Sequence, residues 1–376
     1  MHARRWHDFN VYLALGVVVL LGFGLMLVWS TTVGQQAESY HMFINHLKFL
    51  AVGLVGLVAL TIFDYHNFRP LAKPIYLFAL LLLALVTTLG TVRDGARTEL
   101  FGFQPSEPAK LMLIIALASW WSARAEQRQA NSWVTLGGSL ALAGVPLVMV
   151  LLQPDLGTAM VMGCIWLAMA WSAGMRWFHL LALVVVAIPV GLFGWQHVLK
   201  TYQQARLVAF NYTQEQVDHI PDPESKKYVQ SVLYQTGHAV IAIGHGGLWG
   251  QGLNNGSQSQ RNFLPVNYTD FVFATAGEEL GFVGSVALLA CECFVLWQGV
   301  NVASKARDVQ GRLLATGVVG MMLTHIVENV GMNLKMLPMT GIPLPFISFG
   351  GSFTITALCC IGLLESVAMR RRNLVF

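Results

Sequence analysis

A stretch of about 20 apolar residues is the length of helix that crosses the hydrocarbon core of a bilayer, and this chain of 376 residues contains ten such stretches. They fall near 11–30, 46–63, 71–91, 105–123, 133–152, 156–174, 178–198, 271–300, 313–334 and 347–368. Inside a bilayer every backbone N–H and C=O must find a partner within the protein, so consecutive spans of this length are helices. The expectation is an all-α, polytopic membrane protein with ten transmembrane helices. Composition agrees: 55% of residues are hydrophobic and 11% are charged, against roughly 25% charged in a soluble domain. The bundle uses up the length, so residues 1–376 read as a single domain.

Cation placement orients the bundle. With the N-terminus cytoplasmic, the inner segments hold Arg4, Arg5, Arg69, Lys73, Arg124, Arg128, Arg176, Lys305, Arg307, Arg312 and Arg370 to Arg372, which is 13 of the 23 Lys and Arg residues. The short outer segments hold only Lys48, Arg93, Arg97 and Lys335. Both termini are therefore expected to be cytoplasmic, and an even number of spans fits. The run from Val11 to Ser30 follows Arg4 and Arg5 as a signal peptide would, but it is too long for one and no small-x-small cleavage site follows it, so it reads as an uncleaved span. The five cysteines lie in apolar runs and suggest no disulfide framework.

One long connection remains, an extracytoplasmic loop near 200–270. Its first half carries Glu215, Asp218, Asp222 and Glu224 with two prolines. Its second half, Ala239–Ile243 and then Gly-His-Gly-Gly-Leu-Trp-Gly-Gln-Gly-Leu, predicts a short interfacial helix ending in a glycine-rich turn. The sequence holds no P-loop and no His-x-x-x-His pair, so nucleotide-driven and zinc-protease chemistry are unsupported.

Ionisable residues at or within spans are costly and mark candidate sites. Four segments that meet the outer face carry them. Phe103-Gln-Pro-Ser-Glu-Pro-Ala-Lys110 opens the fourth span; Ser106 is expected to cap it, and Glu107 and Lys110 share a helix face at i, i+3. A carboxylate suits a helix N-terminus, whereas Lys110 opposes the helix dipole there and calls for another reason. Gln153-Pro-Asp-Leu-Gly157 places Asp155 as an N-cap, which by itself explains the residue. Thr269 is the expected cap of the eighth span, leaving Asp270 in the first helical turn between Tyr268, Phe271 and Phe273; desolvation there suits a general base. The stretch from Asn329 to Ser352 is broken by prolines and glycines within 338–345, which membrane proteins tolerate only where the backbone is buried or lines a cavity. Packing accounts for much of it. Glu278, Glu279, Glu292, Glu328 and His325 are expected to satisfy one another or face the bundle interior.

These motifs, with Gly95-Ala-Arg97, Ala242-Ile-Gly-His-Gly-Gly247, Gly256-Ser-Gln258 and Glu278-Glu-Leu-Gly281, resemble in order and content the SEDS family (shape, elongation, division and sporulation), which spans nearly the whole chain. Leu337-Pro-Met-Thr-Gly-Ile-Pro-Leu-Pro345 looks more like the family's rod-shape branch than its division branch. The sequence departs from the family pattern at Val266, Tyr268, His245 and Thr98.

The resemblance implies a peptidoglycan glycosyltransferase in the bacterial inner membrane that polymerises lipid II at the outer face. The implied partners are a class B penicillin-binding protein and other membrane proteins of the elongation machinery; nucleic acid is not among them. It makes Asp270 the catalytic acid–base residue and places Glu107, Lys110 and Asp155 in a central polar cavity. Arg261, Arg206, Arg97, Gln258, Ser348 and Ser352 are the candidate substrate contacts. Charge building on the leaving pyrophosphate calls for a cation: Lys110, an arginine of the long loop, or a divalent ion such as Mg or Mn. Two other classes fit the intramembrane charges, a flippase for lipid-linked precursors and a non-catalytic scaffold.

Overall fold

A computed structural model describes residues 6–371 apart from 34–36, 94–95, 101, 130, 180, 184, 186–200, 213, 262 and 265. Helices α1 (Val11–Val33), α2 (Ala37–Ile62) and α3 (Phe68–Leu89) lead into an antiparallel hairpin of β1 (Thr91–Arg93) and β2 (Ala96–Glu99). Then come α4 (Ser106–Glu126), α5 (Trp133–Leu152) and α6 (Leu156–Ser172). The expected seventh span, 178–198, lies largely outside the described residues. The long loop holds α7 (Thr201–Ala209), α8 (Gln214–Asp218), α9 (Pro223–Gly246) and α10 (Ser257–Gln260), and the chain closes with α11 (Val272–Ser304), α12 (Val309–Asn333) and α13 (Gly351–Ala368). Among the described residues the fold is helical apart from the hairpin.

Among the described residues seven helices, α1, α2, α3, α5, α11, α12 and α13, are long and apolar enough to cross a membrane. Of the other expected spans, α6 is apolar but has only 17 residues, and α4 carries Glu107, Lys110, Arg124 and Glu126. In a bilayer, apolar side chains gain little by leaving lipid for protein, so helices associate by close packing and polar contacts. The outer helices show both faces of this rule. On α1, Leu13, Val17, Leu20 and Leu27 are buried while Val11, Leu15 and Val18 are exposed. Helix α13 packs most extensively on α2, where Gly362 meets the backbone of Leu57 and Gly351 meets the ring of Phe49. Helix α12 is central and touches α4, α6, α11 and α13.

The long loop differs from expectation. In place of a short helix, α9 runs 24 residues from an Asp222 cap, whose carboxylate accepts from Ser225 N at 2.8 Å. With α7 and α8 it encloses a second small core that includes Val229, Val232, Leu264 and Phe271.

Helix α11 is not continuous: Gly281 has φ 70° and ψ −168°. A break inside an apolar helix strands backbone groups, and the glycine-rich turn after α9 satisfies them. Phe282 N donates to Gly247 O and Val283 N to Leu248 O, while Gln251 N and Gly252 N donate to the carbonyls of Glu278 and Glu279. Only glycine fits at position 281, because a Cβ there would stand 2.2 Å from Gly250 N. The two adjacent carboxylates complete the seam without satisfying each other. Glu278 accepts from the backbone N–H groups of Gln258 and Ser259 at the start of α10, and Glu279 accepts from the Ser30 hydroxyl and from Gln260.

The described ends of the chain meet at one end of the bundle. Asn10 N donates to Glu365 at 2.9 Å, and Asp8 lies 3.6 Å from Arg371. Nearby, His66 stands between Asp64 (2.7 Å) and Asp308 (3.2 Å), and Arg370 reaches Asp64 at 3.4 Å. Ser352 and Glu365 lie 13 residues apart along α13, so about 20 Å of helix rise separates this end from the other.

Candidate active site

At the other end a cavity of about 600 Å³ opens between α2, α4, α6, α7, the turn before α11 and the segment 338–353. That volume is typical of a small-ligand cleft. Its polar lining includes Glu107, Asp155, Arg206, Asp270 and Ser352. All four motif-bearing segments therefore meet in one place, and the bonds that assemble them are explicit.

Gln104 joins three segments. Its backbone N–H donates to Ser352 Oγ at 2.7 Å, and its side-chain amide donates to Asp155 Oδ2 at 3.1 Å. Asp155 is the N-cap of α6, as its position suggests, accepting from Thr158 N at 3.0 Å through its other oxygen. One carboxylate thus caps a helix and stands in the cavity wall at once. Ser106, by contrast, does not cap α4: Pro105 occupies the cap position and Ser106 is the first helical residue.

Asp270 lies just before α11, not in its first turn, and Phe271, not Thr269, holds the cap position. The turn is held from behind. Asn329 Nδ2 and Asn333 Nδ2 each donate to the Asp270 carbonyl at 3.0 Å. Asn333 Oδ1 accepts from Ala274 N, and Ser348 Oγ donates to Thr269 O at 2.7 Å while accepting from Leu344 N. Amide side chains of α12 thus hold the Asp270 backbone and leave its carboxylate on the cavity side. Gly341, at φ 76°, passes beneath: a Cβ there would lie 3.2 Å from Asp270 Oδ2 and 3.9 Å from an Arg206 guanidinium nitrogen. A side chain at 341 would crowd Asp270 and touch Arg206. The preceding Val266 holds φ 55°, a strained conformation for a β-branched residue, as active-site turns often are.

Lys110 does not line the cavity. It has 0% exposure and sits beneath the floor, with Nζ 2.7 Å from Glu107 Oε2, 2.9 Å from His325 Nε2 and 5.4 Å from the centroid of the Phe353 ring. The partner for this cation is thus the expected i−3 carboxylate together with a histidine from α12. Among the remaining expected contacts, Ser348 is a buried strut and Ser352 anchors Gln104. The Gln258 backbone N–H donates to Glu278 and its side-chain oxygen lies 2.8 Å from His238 Nδ1, and Arg261 is exposed and outside the cavity lining. Local capping claims Gln258 first, which its motif alone does not reveal. The backbone of Arg97 lies in β2, while its side chain falls outside what is described. Sequence reasoning missed Gln104, His325 and the α12 amides. The signal for the last two was the polar spacing 325, 329, 333 along one face of an otherwise apolar helix.

The family model described as "Cell cycle protein" (FTSW_RODA_SPOVE) matches residues 11–373. The chain belongs to this family. Among its relatives is the probable peptidoglycan glycosyltransferase FtsW of Geobacter metallireducens, 33% identical, with 99% of this chain and 98% of the relative covered. Another is the peptidoglycan glycosyltransferase MrdB of Escherichia coli K12, 31% identical over 95% of this chain and 93% of the relative. Among solved structures, the fold is similar to a chain from a peptidoglycan synthase complex that coordinates polymerization and crosslinking, with TM-score 0.75, 30% identity, and 97% and 99% of the two chains covered. It is also similar to the rod shape determining protein RodA of Thermus thermophilus, with TM-score 0.69, 28% identity, and 98% and 99% covered. The family places the chain among multi-pass membrane proteins, in agreement with its apolar helices.

Proposed function

We propose that this protein polymerises lipid II into peptidoglycan strands at the outer face of a bacterial cytoplasmic membrane, with Asp270 as general base. Family membership and the activity named for full-length relatives support the reaction class. The observation that carries the residue assignment is the convergence of Asp270, Arg206, Glu107 and Asp155 on one cavity at the end of the bundle away from the chain termini.

In the proposed reaction the 4-hydroxyl of the acceptor sugar attacks C1 of the lipid-linked donor. Its proton passes to Asp270, the new C1–O bond forms, and undecaprenyl pyrophosphate departs with the electron pair. One carboxylate suffices because the leaving group is already ionised, unlike the paired acids of hydrolases. Arg206 lines the cavity, which supports it as the cation that meets the pyrophosphate. Lys110, enclosed beneath Glu107, acts through the floor by holding that carboxylate. Among the described residues no three His, Cys, Asp or Glu side chains are grouped to hold a metal ion. A divalent ion would therefore need substrate phosphates to complete its shell.

Ten spans with both termini cytoplasmic are part of this proposal, supported by the meeting of the two described ends and by the distribution of Lys and Arg. A class B penicillin-binding protein is the proposed partner, supported by the similarity to a chain of a synthase complex. The segment 337–345 supports a rod-shape role.

The test is glycan polymerisation from lipid II by purified protein with its transpeptidase partner, with moenomycin present to silence unrelated glycosyltransferases. Wild type should make polymer, and Asp270→Ala should make none while still binding its partner. Normal activity in that variant would overturn the assignment of Asp270, and no polymer from wild type would favour a flippase or scaffold.

A further inference from the structure

We propose that His325 is a positioning residue that holds the Lys110 ammonium beneath the cavity floor and ties it to the broken segment carrying Gly341; the functional consequence rests on the glycosyltransferase reading above. His325 is fully buried on α12. Its Nδ1 lies 3.0 Å from the carbonyl oxygen of Pro343, which can only accept, so Nδ1 carries the proton. Its Nε2 lies 2.9 Å from Lys110 Nζ, which has only donors to offer, so Nε2 presents its lone pair. The two neighbours define a neutral ring protonated at Nδ1. Phe353 stacks on that ring with centroids 4.3 Å apart and also lies under the Lys110 ammonium, which fixes the plane of the imidazole.

The position makes His325 a link. A buried ammonium needs its donors met, and Lys110 has Glu107 on one side and His325 on the other. Through Pro343 the same imidazole is tied to the segment in which Ile342 O accepts from Asn329 and Gly341 underlies Asp270 and Arg206. His325 and Asn329 are one helical turn apart on α12. One face of that helix therefore sets both the cation beneath the floor and the backbone of the proposed base.

The first test does not depend on activity. Solid-state ¹⁵N NMR of histidine-labelled protein in lipid bilayers, compared with His325→Gln, isolates the His325 signals. A neutral ring protonated at Nδ1, with an Nε2 resonance that moves in Lys110→Met, is expected. A proton on Nε2, an imidazolium, or indifference to Lys110→Met would overturn the proposal. The second test is kinetic. A glutamine at 325 reaches the Nε2 position and keeps an acceptor for Lys110, whereas asparagine reaches only the Nδ1 position and keeps the bond to Pro343. His325→Gln should retain kcat within about threefold, while His325→Asn and His325→Phe should lose roughly ten- to hundredfold with KM for lipid II little changed, as expected for a lost hydrogen bond to a charged group. Equal activity of the Gln and Asn variants would contradict the role, and this comparison decides the matter even if His325→Phe does not fold. Failure of the Asp270 assignment would leave the NMR result standing, so the two ideas fail separately.

Discussion

At the end of the bundle where the termini lie, most carboxylates face cations, histidines or hydroxyls, Glu365 with its Asn10 N–H excepted: Asp8 meets Arg371, Asp64 meets His66 and Arg370, Asp308 meets His66 and the Tyr65 hydroxyl, and Glu126 takes both guanidinium nitrogens of Arg69 at 2.6 Å. At the cavity end, Asp155 is held by a backbone N–H and the Gln104 amide, and Asp270 by two asparagines gripping its carbonyl. Charges neutralised pairwise hold helices together. Neutral donors at the cavity end fix where these groups stand in its wall. Glu107 and Lys110 belong to both patterns, an ion pair whose carboxylate lines the cavity while its ammonium lies beneath the floor.

The contrast is sharpened by removing charges one at a time. The largest loss of stability is expected at Lys110, because removing one member of a buried pair strands the other. Lys110→Met should lower unfolding stability by about 3–5 kcal/mol, read as a drop in Tm in detergent, and should abolish polymerisation. The double variant Lys110→Met with Glu107→Leu should recover much of the stability and none of the activity. Next, Asn333→Leu removes a donor to the Asp270 carbonyl; a roughly tenfold fall in kcat with little change in partner binding is expected, and unchanged kcat would free Asp270 from dependence on α12.

The termini end should respond to acid. Burial alone would raise Asp64 and Asp308, but hydrogen bonds from His66, joined at Asp308 by Gly311 N–H and the Tyr65 hydroxyl, outweigh it and hold both carboxyls below the ordinary range. A depressed folded-state pKa contributes stability above the unfolded value, near 4, and that contribution is lost as pH falls through the folded value. The Tm gap between wild type and Asp308→Asn should therefore be full at pH 6 and close below about pH 4. The smallest effect belongs to the exposed Arg69–Glu126 pair: Glu126→Gln should leave Tm and polymerisation unchanged within error.

The seven spans that coincide with long apolar helices and the four motif segments were legible in the sequence because hydropathy and Pro/Gly breaks are local properties. The break at Gly281 was not. Window hydropathy runs straight through Gly-Glu-Glu-Leu-Gly-Phe, and only the distant turn at 247–252 shows where the freed backbone groups go. The same limit hid where Gln258 and Arg261 lie: their residue types suit a pyrophosphate, while Gln258 sits in the local cap at α10 and Arg261 is exposed outside the cavity lining. Conversely, Gln104 was visible as part of a motif but had no assigned partner, since both of its contacts lie dozens to hundreds of residues away. His325 could be placed in a span by pattern, but only the crossing of α4 and α12 pairs it with Lys110.

The most direct comparison of the two ends uses the same chemical change at each. Asp270→Asn and Asp308→Asn proteins, matched for partner binding, should be assayed side by side for single-turnover polymerisation of lipid II. Loss of polymer in Asp270→Asn with near wild-type polymer in Asp308→Asn is the predicted result. Polymer from Asp270→Asn at the wild-type rate, or equal loss in both variants, would contradict the assignment of the chemistry to the cavity end.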